Sequence, residues 1–321
     1  MIARSESEAL VSVIIPVYGT APFVPDALDS VLRQTYRHYE IIVVNDGSPD
    51  SDLLEKVVEP YRDQITYLVQ ENRGSSGARN TALKIAQGEY VAMLDSDDYW
   101  HPEYLASQLS VLAADRTIDV VYPDAVRVSS DGKRKRQFSD EHPVGGEVSF
   151  LRVLVREVQI YGGVTARREP LLRVGLYDED LVTGEDFDLW LRVLKAGGRI
   201  AYNDRVLAYY RERAGSLTSN RVSLKKNMLK LLDGLGRKME LTAEERAVID
   251  RQRSTVAANL SLSEGKQALI AGDRTTAITK LTAAFEHTKR RKHWAAIVTL
   301  RIAPRWVLQF YRLTERWQRA R

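Results

Sequence analysis

Residues 40–48 read EIIVVNDGS, a short β-branched apolar run that ends in four polar residues. A run of this length, apolar at nearly every position, is typical of a strand buried on both faces of a sheet. Three more segments have the same form, and patterns of helical period lie between them. The predicted strands are 10–16, 40–45, 65–69 and 90–94. Strand and helix alternating in units of about 25–30 residues predict a parallel sheet with right-handed crossovers.

The rest of the chain predicts two regions. The helices expected in the first region are 23–34, 51–58, 78–87, 102–114 and 185–196, and its further strands are 120–128, 199–203 and 206–211. Gly88 is expected to stop a helix with a left-handed C-cap, and Asp131-Gly132 to form a hairpin turn. Beyond residue 220 the pattern is almost wholly helical. We therefore expect an α/β domain over 1–220, with a mainly parallel Rossmann-like sheet flanked by helices, and an all-helical region over 221–321.

The composition is that of a folded globular protein, with 44% hydrophobic and 28% charged residues. The absence of cysteine excludes a disulfide framework, thiolate metal sites and a cysteine nucleophile. The first ten residues lack the basic start and apolar stretch of a secretory signal, and no uncharged apolar run approaches the ~18–20 residues of a membrane span. A cytoplasmic protein is expected.

The net charge of +4 is unevenly distributed. Residues 289–321 carry +9 and the remainder carries −5, so the basic charge is not spread over a nucleic-acid-binding surface and no nucleic-acid partner is expected. A predicted helix over 304–319 places Trp306, Phe310, Leu313 and Trp317 together beside a face of arginines. This pattern suits peripheral contact with the inner face of an anionic membrane, or packing of the aromatic residues on the helical region with the arginines in water.

Polar residues follow each of the first four predicted strands, in the segments 16–18, 45–48, 71–74 and 95–98. In a parallel α/β sheet the ligand site lies beyond the carboxyl ends of the strands. Asp95 and Asp97 are carboxylates at i and i+2 that repel each other unless a cation or hydrogen-bond donors lie between them. Such oxygen ligands favour Mg²⁺ or Mn²⁺. The alternative is a loop of solvated acids in which Asp98 caps the next helix.

Three other sites each have two interpretations. Asp46 either forms an Asx-turn or accepts a hydrogen bond from a nucleobase edge, such as the N3–H of uracil. Arg79, at an expected helix start after the small residues 74–77, either contacts an anion or lies on the surface. Glu185 and Asp186 either stabilise the first turn of a helix or include a general base.

The motifs occur together and in order, and they carry a resemblance. They are Val13-Ile14-Ile15-Pro16-Val17-Tyr18, Glu40-Ile41-Ile42-Val43-Val44-Asn45-Asp46-Gly47-Ser48, Asn72-x-Gly74-x-x-x-Ala78-Arg79-Asn80, Asp95-Ser96-Asp97-Asp98 and Gly184-Glu185-Asp186. Over residues 10–212 the chain resembles the family 2 glycosyltransferases of the bacterial non-processive type, inverting enzymes with a GT-A fold.

The resemblance implies a role for each matching residue. Asp46 would hold the nucleotide base, beside a wall formed by Pro16, Val17 and Tyr18. The remaining nucleotide contacts would come from Arg79, Asp95 and Ser96, the metal ligands would be Asp97 and Asp95, and Asp186 would be the catalytic base with Glu185 beside it. Gly19 stands where the family often has Asn, which leaves the wall beside the base open.

The implied activity is metal-dependent transfer of a sugar from a nucleotide sugar, with a UDP-sugar as the favoured donor and Mn²⁺ or Mg²⁺ as the cofactor. The implied acceptor is a hydroxyl of a cell-surface or lipid-linked glycan. The Gln-x-x-Arg-Trp motif of processive synthases is absent from the sequence, which favours addition of one or a few sugars. The alternative is a non-catalytic nucleotide-sugar-binding or scaffold protein that uses the helical tail. A nucleotidyltransferase is disfavoured because its Gly-rich loop followed by Arg is missing after strand one.

Overall fold

The computed structural model describes residues 9–129, 133–141, 146–161, 163–213, 221–288 and 298. The chain divides into two units, Met1–Ser216 and Leu217–Arg321. The predicted hairpin turn at 131–132 and the predicted amphipathic helix over 304–319 lie outside the described residues.

The beginning of unit 1 alternates strand and helix as predicted. Its elements are β1 (Val11–Val17), α1 (Val24–Leu32), β2 (Tyr39–Asp46), α2 (Ser51–Val58), β3 (Thr66–Gln70), α3 (Gly74–Ile85) and β4 (Tyr90–Met93). β1 pairs in parallel with both β2 and β4, and β2 pairs in parallel with β3. The carboxyl ends of these four strands therefore lie along one edge of the sheet, which confirms the predicted parallel arrangement.

The remainder of unit 1 extends this sheet and makes it mixed. Its elements are β5 (Tyr99–Trp100), α4 (Tyr104–Ala114), β6 (Val120–Val128), β7 (Arg134–Gln137), α5 (Phe138–Glu141), α6 (Phe150–Leu154), β8 (Thr165–Arg167), α7 (Arg168–Arg173), α8 (Glu185–Lys195) and β9 (Ile200–Arg211). The strand order is β3-β2-β1-β4-β8-β6-β9-β5, with β7 paired to β6. β8 is antiparallel to β4 and β6, whereas β9 runs parallel to β6.

Both faces of β1 are buried, as its continuous apolar run predicts. Val13 and Ile15 pack in one cluster with Leu28 and Val31 of α1. Ile14, whose side chain points to the opposite face, is also fully buried. A strand held from both sides gives the polar residues at its carboxyl end a fixed position.

Two local predictions were wrong. The segments 199–203 and 206–211 form one strand, β9, because register shifts against β6 near Pro123 and Asp124 accommodate the polar residues between them. α3 ends at Ile85, and Gly88 has no left-handed backbone. A Cβ at Gly88 would lie 2.6 Å from the backbone nitrogen of Ser12, so glycine is needed there for close approach to β1.

Unit 2 consists, in the part described, of the helices α9 (Arg221–Lys238), α10 (Ala243–Ala271) and α11 (Arg274–Thr288). Thr242 and Glu245 form a capping box at the start of α10. Gly272 has a φ of 84° at the end of α10, and Leu269 and Leu281 pack in a small core between α10 and α11. Across the described residues, we find no helix that combines the length and the apolar character needed to cross a membrane.

Candidate active site

The site is organised around the guanidinium of Arg79, which lies in the second turn of α3. Its nitrogens lie 2.7 Å from Asp95 Oδ1, 2.9 Å from Glu185 Oε1 and 3.7 Å from Asp186 Oδ1. Arg79 is only 3% exposed, so the surface alternative is wrong, and α3 begins at Gly74 rather than near Arg79. Burial alone would lower the pKa of Arg79, but the carboxylates, led by Asp186 and Asp95, raise it well above its ordinary value.

Glu185 holds this cation in place. Its Oε1 accepts hydrogen bonds from Arg79 and from the hydroxyl of Ser75, and Ser75 Oγ in turn accepts from Arg79 at 2.7 Å. The side chain of Glu185 is only 13% exposed. Glu185 and Ser75 therefore form a closed ring of hydrogen bonds with Arg79, which fixes the orientation of the guanidinium.

Asp186 is the more accessible of the two adjacent acids in α8, with 26% of its side chain exposed. Burial raises the pKa of Asp186 to about 7, and the neighbouring charges of Glu185 and Asp95 act in the same direction, while Arg79 opposes them. A carboxylate whose pKa lies near neutrality is matched to proton abstraction at physiological pH. The geometry thus distinguishes Asp186 from Glu185.

The acids that follow β4 are held by arginines rather than fully solvated. Asp95 uses Oδ1 toward Arg79, and Asp97 Oδ2 accepts from Arg213 Nε at 2.5 Å. Burial raises the pKa of Asp97, Asp95 raises it further, and Arg213 opposes both. Asp98 accepts from the backbone nitrogen of Arg211 at 2.8 Å, and α4 begins at Tyr104 after Glu103, so the alternative in which Asp98 caps the next helix is wrong.

Asp95 and Asp97 could hold a divalent cation. Asp95 contacts Arg79 through Oδ1 and Asp97 contacts Arg213 through Oδ2, so the second oxygen of each carboxylate is the one that could turn to a cation. No group of three or more His, Asp or Glu side chains in the described part of the chain could enclose a metal by itself. The residues therefore fit a cation that takes its remaining ligands from substrate phosphates and water, as Mg²⁺ and Mn²⁺ commonly do.

Asp46 lies at the end of β2, 2% exposed. Its Oδ1 accepts from Gln70 Nε2 at 2.7 Å and from the backbone nitrogen of Arg73 at 2.9 Å. The turn expected as the alternative role of Asp46 is instead closed by Asn45, whose Oδ1 accepts from the backbone nitrogen of Ser48, three residues on, at 2.9 Å. Asp46 instead joins the end of β2 to the end of β3 and the loop that follows it.

The segment after β1 contributes one exposed ring. Tyr18 is 51% exposed, whereas Val17 is 1% exposed and belongs to the hydrophobic core. Val17 can therefore contribute to the predicted wall only through its backbone, and the wall stays a prediction. Pro16 is partly buried within β1. Gly19, with a φ of 65°, donates its backbone N–H to Ser48 Oγ at 2.7 Å.

Ser96 has a structural position between the two acids. Its hydroxyl lies 2.7 Å from that of Thr20, and this buried pair joins the loop after β4 to the loop after β1. Asp46 lies at the end of the neighbouring β2. The structure thus brings the predicted loops together at the carboxyl edge of the sheet.

Two arginines of the site were missed by sequence reasoning. Arg211 and Arg213, at the end of β9, bind the loop after β4: Arg211 Nε donates to the carbonyl of Asp97 at 2.9 Å, and Arg213 pairs with the Asp97 side chain. Alternate basic residues at a strand end are the signal that could have found them, since positions i and i+2 share one face.

Comparison with known proteins gives the family of the chain. The family described as "Glycosyl transferase family 2" matches residues 12–171. Escherichia coli WfaP, a UDP-Glc:alpha-D-GlcNAc-diphosphoundecaprenol beta-1,3-glucosyltransferase, is 31% identical over 66% of this chain and 81% of its own length. The chain belongs to glycosyl transferase family 2.

Other matches to this family 2 chain differ in extent. An uncharacterized glycosyltransferase of Rickettsia conorii is 33% identical over 66% of the chain, and the match spans only 36% of that relative's own length. S. aureus TarS 1–349 in complex with UDP-GlcNAc gives a TM-score of 0.59 at 20% identity, over 96% of this chain and 92% of TarS. A Pyrobaculum calidifontis mannosyltransferase in complex with GDP-Man and Mn²⁺ gives a TM-score of 0.59 at 22% identity, over 94% of this chain and 84% of the mannosyltransferase. These structural matches show the GT-A fold.

Proposed function

We propose that this glycosyltransferase moves a sugar from a nucleotide sugar, with a UDP-sugar as the favoured donor, to a hydroxyl group of a cell-surface glycan or lipid-linked acceptor, with inversion and with a divalent cation. The observation that carries the proposal is that Asp186 and Asp95 both lie beside the buried Arg79. The pKa of Asp186 is raised to about 7. A proton acceptor and the pair formed by Asp95 and Asp97 thereby lie at one site.

The reaction follows from these positions. Asp186 accepts the proton of the acceptor hydroxyl as its oxygen bonds to the anomeric carbon of the donor sugar. The bond from that carbon to the diphosphate oxygen breaks, and the nucleoside diphosphate leaves with the electron pair. One displacement from the opposite face inverts the anomeric configuration, whereas retention by double displacement would need a carboxylate nucleophile and a second displacement.

Asp95 and Asp97 would hold the cation, which supplies positive charge to the departing diphosphate. Each acid is oriented by an arginine, Asp95 by Arg79 and Asp97 by Arg213. Because the two carboxylates repel each other, a cation shared between them relieves the repulsion that helps to raise the pKa of Asp97.

The donor and acceptor classes have support from relatives. WfaP is named for transfer from UDP-Glc to a diphosphoundecaprenol-linked sugar, and a Bacillus subtilis relative, TuaG, is named as a putative teichuronic acid biosynthesis glycosyltransferase. We extend this acceptor class to the present protein. The basic segment 289–321 would then bring the enzyme to the cytoplasmic membrane face where a lipid-linked acceptor lies.

The test is a transfer and hydrolysis assay with a panel of nucleotide sugars. Purified protein is incubated with each donor and Mn²⁺, with and without EDTA, and the released nucleoside diphosphate is measured. We expect release from at least one UDP-sugar that stops with EDTA, and an inverted product by NMR of the anomeric proton. Donor binding with no release, with or without a lipid-linked acceptor, would support the scaffold alternative.

A further inference from the structure

The hydrogen bonds that hold Asp46 reach only one of its two carboxylate oxygens. Gln70, the register partner of Asp46 in the neighbouring β3, donates from Nε2, and Arg73 donates from its backbone nitrogen. Both hydrogen bonds end on Oδ1. In the described part of the chain no residue donates a hydrogen bond to Oδ2, so its lone pairs stay available to a ligand.

The amide of Gln70 is itself fixed. Thr81 in α3 donates its hydroxyl hydrogen to Gln70 Oε1, with the two oxygens 2.6 Å apart. An amide has one acceptor end and one donor end, so the hydroxyl that occupies Oε1 turns the NH₂ group toward Asp46. If the amide were flipped, its oxygen would face the carboxylate oxygen and its NH₂ group would face the hydroxyl.

A close approach of two loops completes the arrangement. Gly47 follows Asp46 with a φ of 64°, and a Cβ at this position would lie 2.9 Å from the backbone nitrogen of Asn72. Glycine therefore lets the loop after β3 lie against the loop after β2. This contact brings the backbone nitrogen of Arg73 within hydrogen-bond distance of Asp46.

We propose that Thr81 and Gln70 are positioning residues that hold Asp46 as a pure acceptor, and that they thereby select nucleobases with an imide-type N–H. Uracil and guanine carry such a hydrogen on N3 and N1, respectively. Cytosine N3 and adenine N1 carry lone pairs, which would face the lone pairs of Oδ2. The inference rests on the proposed function, because it assigns the base of the donor to Asp46.

Selection by this route requires a fixed carboxylate. A ligand that leaves a buried, oriented polar group without a hydrogen bond is rejected strongly. An apolar pocket rejects a ligand of slightly different shape far less. The exposed ring of Tyr18 cannot supply this selectivity, because aromatic stacking tolerates every base. If Gln70 is released, the Asp46 carboxylate can turn away from the base edge, so cytosine or adenine no longer forces its lone pairs against Oδ2 and discrimination falls more than affinity for uracil.

The test measures nucleobase discrimination by calorimetry with UDP, GDP, CDP and ADP in the presence of Mn²⁺. For the full-length protein we expect UDP or GDP to bind roughly 100-fold more tightly than CDP and ADP. In Gln70→Met, which keeps the side-chain length without the polar atoms, and in Thr81→Val, which is isosteric, this ratio should fall roughly tenfold or more. Thr81→Ser keeps the hydroxyl and should keep the ratio.

The outcomes separate this inference from the proposed function. A wild-type protein that binds none of the four nucleotides overturns the proposed function. One that binds UDP and CDP equally, or a Thr81→Val variant that keeps the full ratio, overturns the positioning inference and leaves the proposed function standing. A melting curve accompanies each variant, and if Gln70→Met does not fold, the comparison of Thr81→Val with Thr81→Ser decides.

Discussion

Replacing Arg79 with methionine should move the pH dependence of the reaction upward. The guanidinium lies 3.7 Å from Asp186 Oδ1 and opposes the burial that raises the pKa of Asp186 to about 7. At an effective dielectric of about 20, opposite unit charges at about 4 Å attract with about 4 kcal/mol, the equivalent of about three pKa units. Water entry and relaxation of Asp95 and Glu185 reduce this attraction, so we expect the pKa of Asp186 to rise by about one to three units in the variant.

The direction follows from the role of Asp186 as a base. Only the ionised carboxylate accepts a proton, so kcat/KM of the wild type should rise with pH and level off above about pH 7. In Arg79→Met the rise of kcat/KM should occur at a pH one to three units higher than in the wild type. A shift of about two units leaves about 1% of Asp186 ionised at pH 7, which is a loss of about 50-fold relative to a half-ionised wild type. Activity should recover partly near pH 9.

The assay is the pH profile of kcat/KM for the best donor, measured for the wild type, Arg79→Met and Arg79→Lys. The lysine variant is the matched control, because it keeps the positive charge and should keep its profile close to that of the wild type. Donor binding measured separately at each pH shows whether the lost contact to Asp95 contributes. A methionine variant whose profile rises at the wild-type pH would refute the electrostatic role of Arg79, and a wild-type rise near pH 4 would refute the assignment of Asp186.

Three further predictions concern the acids and the tail. Asp97→Asn should remove the Mn²⁺ dependence of UDP binding, measured by calorimetry; full dependence in the variant would contradict its role as a metal ligand. Asp186→Asn should cut turnover by roughly 10²–10⁴ with donor binding within a few fold. Because burial raises the pKa of Asp186 above its unfolded value, the fold loses stability progressively as the pH rises from about 4 to about 7. This variant should therefore also melt higher at pH 8, and the gain should vanish below about pH 4. Removal of residues 289–321 should weaken co-sedimentation with anionic vesicles, most strongly at low salt; full-length protein that stays in the supernatant at low salt would exclude membrane binding.

The fold was predictable where the hydrophobic pattern of a segment fits only one kind of secondary structure. β6 has its predicted bounds of 120–128, and α2 its predicted bounds of 51–58, because a continuous apolar run and a clear amphipathic period leave little ambiguity. The start of α3 was missed, since Gly74-Ser75-Ser76-Gly77 has poor helix propensity and the contacts of Ser75 and Ser76 with the segment 181–185 override it.

The acidic residues of the candidate site were predictable from the sequence, but the contacts of its arginines were not. Asp95, Asp97 and Asp186 stand next to strand and helix ends, where local sequence shows them. The burial of Arg79 depends on Glu185, more than 100 positions away, and Arg213 reaches Asp97 across a similar separation. No local pattern encodes a pairing that only the folded sheet creates.

The arginines explain how so many acids share one edge of the sheet. A buried carboxylate without a partner is strongly disfavoured, and each acid beside a second acid is disfavoured further. Arg79 offsets this for Asp95 and Glu185 with short contacts, but its contact with Asp186 is the longest of the three. For Asp186, burial outweighs the attraction of Arg79, and the charges of Glu185 and Asp95 add to the effect of burial, so its pKa stays raised. The same cation that permits the cluster to fold thus leaves one member with the basicity that proton abstraction needs.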